Sequence, residues 1–235
     1  MKAHYKRKWT NFNNEPKLIF KEACEIIADY FLDYGFVYQK SKKWLLKTNE
    51  EYKLSYFISL GTNRYNSKGF SVNLNSQCLI KSCEIQKFRN DRLNMTNNTD
   101  DVITSFQLGY LMPEQEYTSW NLYKTHPKKI AEFHLKYAIP TFDKFKEPNK
   151  IINHLLREGK IPEFDFYFRI LDYIMCYGDE EISIRWVKKI LEVNRLGSKF
   201  EKLYPSISNG EEIDKKYKDM DFLLFERINN YGLIL

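Results

Sequence analysis

Residues 54–75 give the clearest indication of the fold: Leu-Ser-Tyr-Phe-Ile-Ser-Leu-Gly-Thr-Asn-Arg-Tyr-Asn-Ser-Lys-Gly-Phe-Ser-Val-Asn-Leu-Asn. Two runs of alternating apolar and polar residues flank a polar segment that contains glycine. This pattern is typical of an antiparallel β-hairpin that buries one face and exposes the other. The residues predicted to face the core are Leu54, Tyr56, Ile58 and Leu60 from the first strand, and Phe70, Val72 and Leu74 from the second.

The hairpin lies within a longer series of extended segments. Their alternation predicts an antiparallel sheet of five to six strands, with one face on the core and one in water. The segments are residues 36–40, 43–48, 53–61, 69–84, 102–111 and 119–123.

A helix is predicted before the sheet, over residues 15–34. Asn14 is a suitable N-cap, Pro16 suits the first turn, and Gly35 fits a left-handed termination. Apolar residues recur at helical spacing along this segment, so the helix has a broad apolar face with which to cover the sheet.

From residue 126 onward, apolar residues recur at helical rather than strand spacing. Pro127 opens a helical segment, and Pro140 is expected to end or kink it. Two of the helices that follow are predicted to form a helical hairpin joined at Gly178. The further helices are predicted over residues 148–158, 162–177, 179–194 and about 211–230.

The predicted fold class is therefore α+β. An N-terminal helix lies on an antiparallel sheet of five to six strands, and an all-helical C-terminal segment follows. We expect residues 1–147 to form the α+β domain. Residues 148–235 are expected to pack on it as a helical segment, because the connection between the two lacks the Gly/Ser richness of a flexible tether.

The composition predicts a globular protein. Hydrophobic residues make up 43% of the chain, and its 17 Tyr and 17 Phe exceed what a disordered chain carries. The net charge is +6, and four positive charges fall in a short N-terminal arm at Lys2, Lys6, Arg7 and Lys8. This arm leaves nucleic-acid binding open as an alternative, although binding to phosphate usually needs a concentrated basic stripe.

The cysteines and the N-terminus favour a reducing compartment. Cys24, Cys78, Cys83 and Cys176 form no C-x-x-C motif, so we expect reduced, buried thiols. The first residues lack the apolar core of a signal peptide, and no apolar run reaches the roughly 18 residues of a membrane span. We therefore expect a cytoplasmic protein with no membrane partner.

Two short motifs resemble those of a bacterial family of small α+β domains of unknown function. They are Gly35-Phe36 after the first helix and the strand Phe70-Ser71-Val72-Asn73-Leu74. The resemblance covers about residues 15–147 and implies a helix-flanked antiparallel sheet. Because such domains occur near bacterial conflict systems, the resemblance also implies an immunity-type binding role, by analogy alone.

No catalytic, metal-binding or phosphate-binding motif is present. The four histidines, His4, His126, His134 and His154, form no i, i+4 metal pair, and no glycine-rich phosphate loop occurs. Among the acidic pairs, Asp100-Asp101 is expected in a mobile loop. Asp219 and Asp221 are expected to diverge around a helix. We therefore predict no catalytic residue, no metal and no cofactor.

One candidate partner-binding feature is an acidic stripe on the first helix. Glu22, Glu25, Asp29 and Asp33 are spaced by three, four and four residues, which lines them along one face. Such a stripe is either a solvated face, paired in part with lysines of the sheet, or a docking surface for a basic partner.

A second candidate feature is the pair Arg64-Tyr65 in the predicted hairpin turn. An exposed arginine beside a tyrosine is the composition of a binding hot spot. It is equally what a polar loop of this composition would contain, and the sequence does not separate the two interpretations.

The leading functional prediction is a non-catalytic intracellular bacterial protein that acts through protein–protein contact, as an immunity-type or regulatory binding protein with an unknown protein partner. Two alternatives stay open. A nucleic-acid-binding protein would use the basic arm over residues 2–9. An enzyme with an unrecognised site would show a pocket in which titratable residues converge, such as His126 or His154 near an acid.

Overall fold

The computed structural model describes residues 15–93, 100–164 and 166–235 and confirms the α+β class. Helix α1 spans Pro16–Phe31 and ends in a 3₁₀ turn over Leu32–Tyr34. Gly35 follows with φ of 77°, the left-handed stop that was predicted. The proposed cap Asn14 lies outside the described residues.

The sheet is antiparallel and has six strands among the described residues. Its main order is β1-β2-β3-β4-β5, and β6 pairs with the start of β4, where Leu74 lies opposite Trp120. The strands are β1 Val37–Gln39, β2 Trp44–Asn49, β3 Leu54–Thr62, β4 Asn73–Ser82, β5 Val102–Gln107 and β6 Trp120–Asn121.

The predicted strand over residues 69–84 was too long at both ends. β4 begins at Asn73, and Cys83 already starts helix α2, Cys83–Leu93. The helix escaped prediction because only Ile85 and Arg89 are buried along it. Because one of these two buried residues is an arginine, the segment has too few apolar residues at helical spacing for a helix to be predicted from them.

The segment that opens at Pro127 continues as a helix past Pro140, where the proline was expected to end or kink it. The proline therefore does not end the helical segment. Helix α3 (Pro127–Phe133) continues through a π-helical segment, His134–Ala138, into α4 (Ile139–Lys144). Within it, the Ile139 N–H donates to the His134 carbonyl, five residues back. Because proline has no N–H, the local ladder must be rearranged near Pro140, and a π segment is one way to do so.

The remaining helices follow the prediction in part. One unpredicted helix, α8, begins at Gly197 and contains Pro205, two residues that lower helix propensity. The last helix begins at Met220 rather than near residue 211. The helices are α5 Pro148–Glu158, α6 Tyr167–Tyr177, α7 Glu180–Val193, α8 Gly197–Ser208 and α9 Met220–Asn230.

The chain divides into two compact units. The first contains the described residues up to Lys47, together with Phe57–Cys78 and Gln107–Ile139. In its core, Phe31 of α1 packs edge-on against Phe36, with ring centroids 5.3 Å apart, and α1 also contacts α3. These contacts bury the apolar face predicted for the first helix.

The second unit contains the described residues of Thr48–Tyr56, Leu79–Phe106 and Pro140–Leu235. Helix α6 contacts α2, α7 and α9 within it, which confirms the predicted helical hairpin of α6 and α7. The proposed domain boundary after residue 147 stays a prediction. In the part of the chain that the structure describes, no helix is both long and apolar enough to cross a membrane.

Candidate functional site

The segment between β3 and β4, residues 63–72, is the hairpin tip. Its backbone closes on itself, because the N–H groups of Ser67 and Ser71 donate to each other's carbonyls at 2.8 and 3.0 Å. Gly69 lies inside this closed turn with φ of +73°, a conformation that residues with a Cβ adopt at a cost. The tip is therefore an ordered turn and not a long strand extension.

Side chains from neighbouring elements hold the hairpin tip in place. The Gly69 N–H donates to the Tyr123 hydroxyl at 2.9 Å, and the Asn121 side chain donates to the Phe70 carbonyl at 3.3 Å. On the other side, Asn66 donates to Thr62 Oγ1 at 2.6 Å. These bonds fix the backbone that presents the outward side chains.

Two large side chains project from this fixed backbone into solvent. Tyr65 is 70% exposed and Phe70 is 80% exposed. Phe70 was predicted to face the core, and this prediction was wrong, because the residue belongs to the turn and β4 starts only at Asn73. The sequence signal that could have placed it outside is the adjacent Gly69, which favours a turn over a continuing strand.

Arg64 lies against Tyr65 in the hairpin tip. Its guanidinium carbon is 4.7 Å from the centroid of the Tyr65 ring, and Nη2 donates to the tyrosine hydroxyl at 2.5 Å. Stacking of this kind orders both side chains while leaving them at the surface. Nearby, Lys68 forms an ion pair of 3.1 Å with Glu15, next to the start of α1.

The acidic stripe lies elsewhere in the same unit, along α1. Glu22 and Glu25 are half-buried, and Asp29 is exposed. The Glu25 carboxylate is 3.6 Å from Lys40 Nζ, the kind of partner expected if the stripe pairs with lysines of the sheet. Asp33 belongs to the 3₁₀ turn beyond the end of α1, where the rotation per residue differs from that of an α-helix.

The second unit contains a groove with a volume of about 480 Å³. Carboxylates, ammonium groups and one imidazole surround it, and its apolar lining comes from Pro140, Ile151 and Ile161. The charged and titratable lining residues are Asp143, Lys144, Glu147, Lys150, His154 and Glu163.

The carboxylates of the groove are all engaged by lysines. The buried Glu163 pairs with Lys144, and Glu147 lies 2.6 Å from Lys150 Nζ. Asp143 lies 2.7 Å from the ammonium of Lys146. The groove therefore offers fixed charges of both signs around an apolar lining, which suits a polar ligand with both kinds of charge.

The other described histidines have structural roles. His126 caps α3 by accepting from the Lys128 N–H at 3.0 Å. His134 is fully buried, and its two ring nitrogens lie 2.8 Å from the Ile130 carbonyl and 2.9 Å from Ser76 Oγ. Burial lowers the pKa of His134 to about 4, so the ring is neutral at physiological pH.

Metal binding finds no support in residues 15–93, 100–164 and 166–235. No group of three or more His, Cys, Asp or Glu side chains is arranged there to hold an ion. The paired carboxylates are instead used in ion pairs. Asp101 lies 2.9 Å from Lys81, and Asp219 and Asp221 both contact Lys199 Nζ, at 2.5 and 2.6 Å.

The thiols differ in exposure. Cys24 and Cys78 are buried, whereas Cys83 is exposed at the start of α2 and Cys176 is half-buried. Burial raises the pKa of the Cys24 thiol to about 12 and that of Cys78 well above its usual range. All four thiols are free, and the two in the core are chemically inert.

Comparison of the chain with protein-family models, with curated proteins and with solved structures found no match. The resemblance to a bacterial family of small α+β domains therefore stays a prediction, and function must be argued from the surfaces described above.

Proposed function

We propose that this protein acts by protein–protein contact through the hairpin tip. The observation that carries the proposal is the outward display of Phe70 and Tyr65, 80% and 70% exposed, on a backbone held by hydrogen bonds. Aromatic residues beside an arginine are the composition that dominates binding energy in protein interfaces.

The energetics favour a partner for this surface. Burying a phenylalanine side chain contributes about 2–3 kcal/mol, and the tyrosine ring adds a comparable apolar area. Because the backbone of the tip is already ordered, less conformational entropy is lost when a partner binds. The Arg64 side chain is also ordered before binding, because it stacks on the Tyr65 ring.

The finer assignment, an immunity-type or regulatory protein of the bacterial cytoplasm, is part of the same proposal. It is supported by the resemblance over residues 15–147 and by the absence of a recognisable catalytic motif in the sequence. The acidic stripe of Glu22, Glu25, Asp29 and Asp33 is a second candidate surface, and its charge suits a basic partner.

Comparative affinity purification from the native host tests the proposal. We expect at least one stoichiometric protein to copurify with the wild type and to be lost from Phe70→Ser and Tyr65→Ser. Tyr117→Ser is the matched control, because Tyr117 is also well exposed, at 57%, and lies outside the tip. If both tip variants retain every protein that the wild type retains, the proposal is wrong.

The groove of the second unit supports a second candidate function, binding or conversion of a small polar molecule. His154 lies there among three carboxylates, the arrangement expected of an unrecognised enzyme site. A panel of amino acids, dipeptides and nucleotides should then include one that raises the melting temperature. His154→Ala should abolish that rise, whereas Lys188→Ala, an exposed change on α7, should not. A panel without effect would count against this function.

The nucleic-acid alternative depends on the arm over residues 2–9, which lies outside the described residues. It stays a prediction from sequence.

A further inference from the structure

The four strands β1 to β4 and their connections carry a large excess of positive charge. Residues 34–83 contain eight Lys or Arg and two Asp or Glu, a net charge of +6, which equals that of the entire chain. The rest of the protein is therefore neutral in sum. Charge concentrated in one part of a sheet creates a local electrostatic potential that the net charge of the whole chain does not reveal.

The two acidic residues of this segment lie at one end of the sheet. Glu50 and Glu51 belong to the turn between β2 and β3. Because the strands are antiparallel neighbours, the β1–β2 turn and the hairpin tip lie together at the opposite end. A hydrogen bond of 3.0 Å from the Leu60 N–H to the Lys43 carbonyl joins the start of β2 to the end of β3 there.

This opposite end, the basic end, carries five cations. They are Lys40, Lys42, Lys43, Arg64 and Lys68. Two of them are paired with acidic residues: Glu25 of α1 lies 3.6 Å from Lys40, and Glu15, just before α1, lies 3.1 Å from Lys68.

The other three cations have no carboxylate partner within the described residues. Lys42 and Arg64 instead lie over aromatic rings, 5.1 Å from the centroid of Trp44 and 4.7 Å from that of Tyr65. Lys43 donates to the Lys40 carbonyl. Cations held in this way keep their charge available to a partner.

From this arrangement we infer the chemistry of the partner: a protein surface with an apolar pocket for Phe70 and Tyr65 and a rim of carboxylates facing Lys42, Lys43 and Arg64. The inference rests on the proposed function and specifies its partner. Interfaces commonly combine a desolvated aromatic centre with a charged rim, and the rim sets association rate and specificity.

A protein fits this surface better than a nucleic acid does. Binding to a phosphate backbone grows with the number of phosphates that cations neutralise, and only three cations of the basic end remain without a carboxylate in the part of the chain that the structure describes. Two of these three lie over rings rather than along a groove that could follow a phosphate backbone. At the tip, Tyr65 and Phe70 supply the apolar contact that a protein pocket would bury.

Binding of defined polymers tests the inference. The probes are a random copolymer of glutamate and tyrosine, polyglutamate of similar length, and an oligo(dT) of about twenty nucleotides, each measured by fluorescence anisotropy at low salt. We expect the copolymer to bind the wild type about tenfold more tightly than polyglutamate does, because only the copolymer carries rings for the exposed aromatics.

Variants assign this binding to named groups. The double variant Lys42→Glu, Arg64→Glu should lower the affinity for the copolymer about tenfold or more. It should also make this affinity depend less on salt concentration. Lys128→Glu, a change on α3 at a side chain 55% exposed, should alter binding less than about twofold. Phe70→Ser should lower the affinity for the copolymer and leave the affinity for polyglutamate unchanged. Circular dichroism and thermal unfolding check that each variant is folded.

Three results would overturn the inference. The first is a copolymer affinity that does not change when Lys42 and Arg64 are replaced by glutamate. The second is an equal loss of copolymer affinity in Lys128→Glu. The third is tighter binding of oligo(dT) than of the copolymer, which would assign the surface to nucleic acid. None of these decides the proposed function, which fails only if Phe70→Ser and Tyr65→Ser leave the proteins recovered from the host unchanged.

Discussion

Nε of Arg89 lies 2.7 Å from Oδ2 of Asp172, and both side chains are almost completely buried in the second unit. The other carboxylate oxygen of Asp172 accepts from the Tyr231 hydroxyl at 2.6 Å and lies 3.1 Å from Nε of Arg227. One aspartate thus joins α2, α6 and α9. A buried charge that loses its partner is costly, so breaking this network is expected to destabilise the unit.

We expect Asp172→Asn to lower the free energy of unfolding by about 3 kcal/mol, because the buried Arg89 would be left with Asp100, 3.4 Å away and more exposed, and Arg227 would lose its carboxylate partner. Urea denaturation monitored by circular dichroism measures the change. Asp29→Asn, at an exposed position on α1, is the control and should change stability by less than about 0.5 kcal/mol. A loss below about 1 kcal/mol in Asp172→Asn would show that the network contributes little.

The buried His134 predicts a loss of stability in mild acid. Its Nδ1 faces the Ile130 carbonyl, which can only accept, so Nδ1 carries the proton and Nε2 accepts from Ser76. The unfolded chain takes up a proton below pH 6.5, whereas the folded chain does so only near pH 4. Stability is therefore complete above pH 6.5 and falls as the pH drops toward 4, by about 3 kcal/mol in total.

Urea unfolding at several pH values tests this assignment. His134→Leu should flatten the dependence between pH 6.5 and about 4, because the titrating group is gone. Val193→Ala, an exposed change on α7 that removes no titrating group, is the control and should keep the slope of the wild type. An unchanged slope in His134→Leu would assign the acid sensitivity to other groups.

The thiols should react with a disulfide reagent in two classes. Cys83 is exposed, whereas burial raises the pKa of Cys24 and of Cys176 to about 12. In the folded protein we expect one fast-reacting thiol, and Cys83→Ser should remove this phase while leaving the slow reactions. Two or more fast thiols in the native protein would contradict this order of exposure.

Removal of residues 148–235 should leave an unstable or aggregating remnant. The deletion takes away α6, and with it Asp172, the partner of Arg89 on α2. It would therefore expose apolar surface and take from the buried Arg89 the closer of the two carboxylate partners that the structure describes for it, leaving Asp100 at 3.4 Å. The control removes only Ile234 and Leu235, which are 85% and 37% exposed. A shortened chain over residues 1–147 that stays monomeric and unfolds cooperatively would show instead that the helical half is a separate module.

The alternation along β3 was sufficient to predict a sheet, because each of its residues 54 to 60 faces the core or the surface in turn. Turns were harder to predict. Phe70 continues the alternating pattern of β4, but Gly69 and the Ser67–Ser71 pairing turn the backbone before the strand begins. The residue central to the proposed site was therefore assigned to the wrong face, whereas Arg64 and Tyr65 were singled out from composition as a candidate surface, which stays a prediction.

The polar contacts of the second unit were hidden for a different reason. Asp219 and Asp221 were expected to diverge on a helix, but Asp219 precedes α9 and caps it, so both carboxylates reach Lys199. Asp101, expected in a mobile loop, pairs with Lys81, twenty residues away. Partners this distant in sequence leave no local pattern, because tertiary packing alone brings them together.

The side chain of Asn121 holds the hairpin tip by hydrogen bonds to its backbone. Its carbonyl oxygen accepts from the N–H groups of Val72 and Tyr123, at 3.4 and 3.0 Å, while its amide donates to the Phe70 carbonyl. The frame is thus supplied by a residue that lies outside the contact surface. A new partner preference could evolve by replacements at positions 42, 43, 64, 65 and 70, with Asn121 retained. The same arrangement means that a mutation at position 121 can disturb recognition although Asn121 is not one of the proposed contact residues.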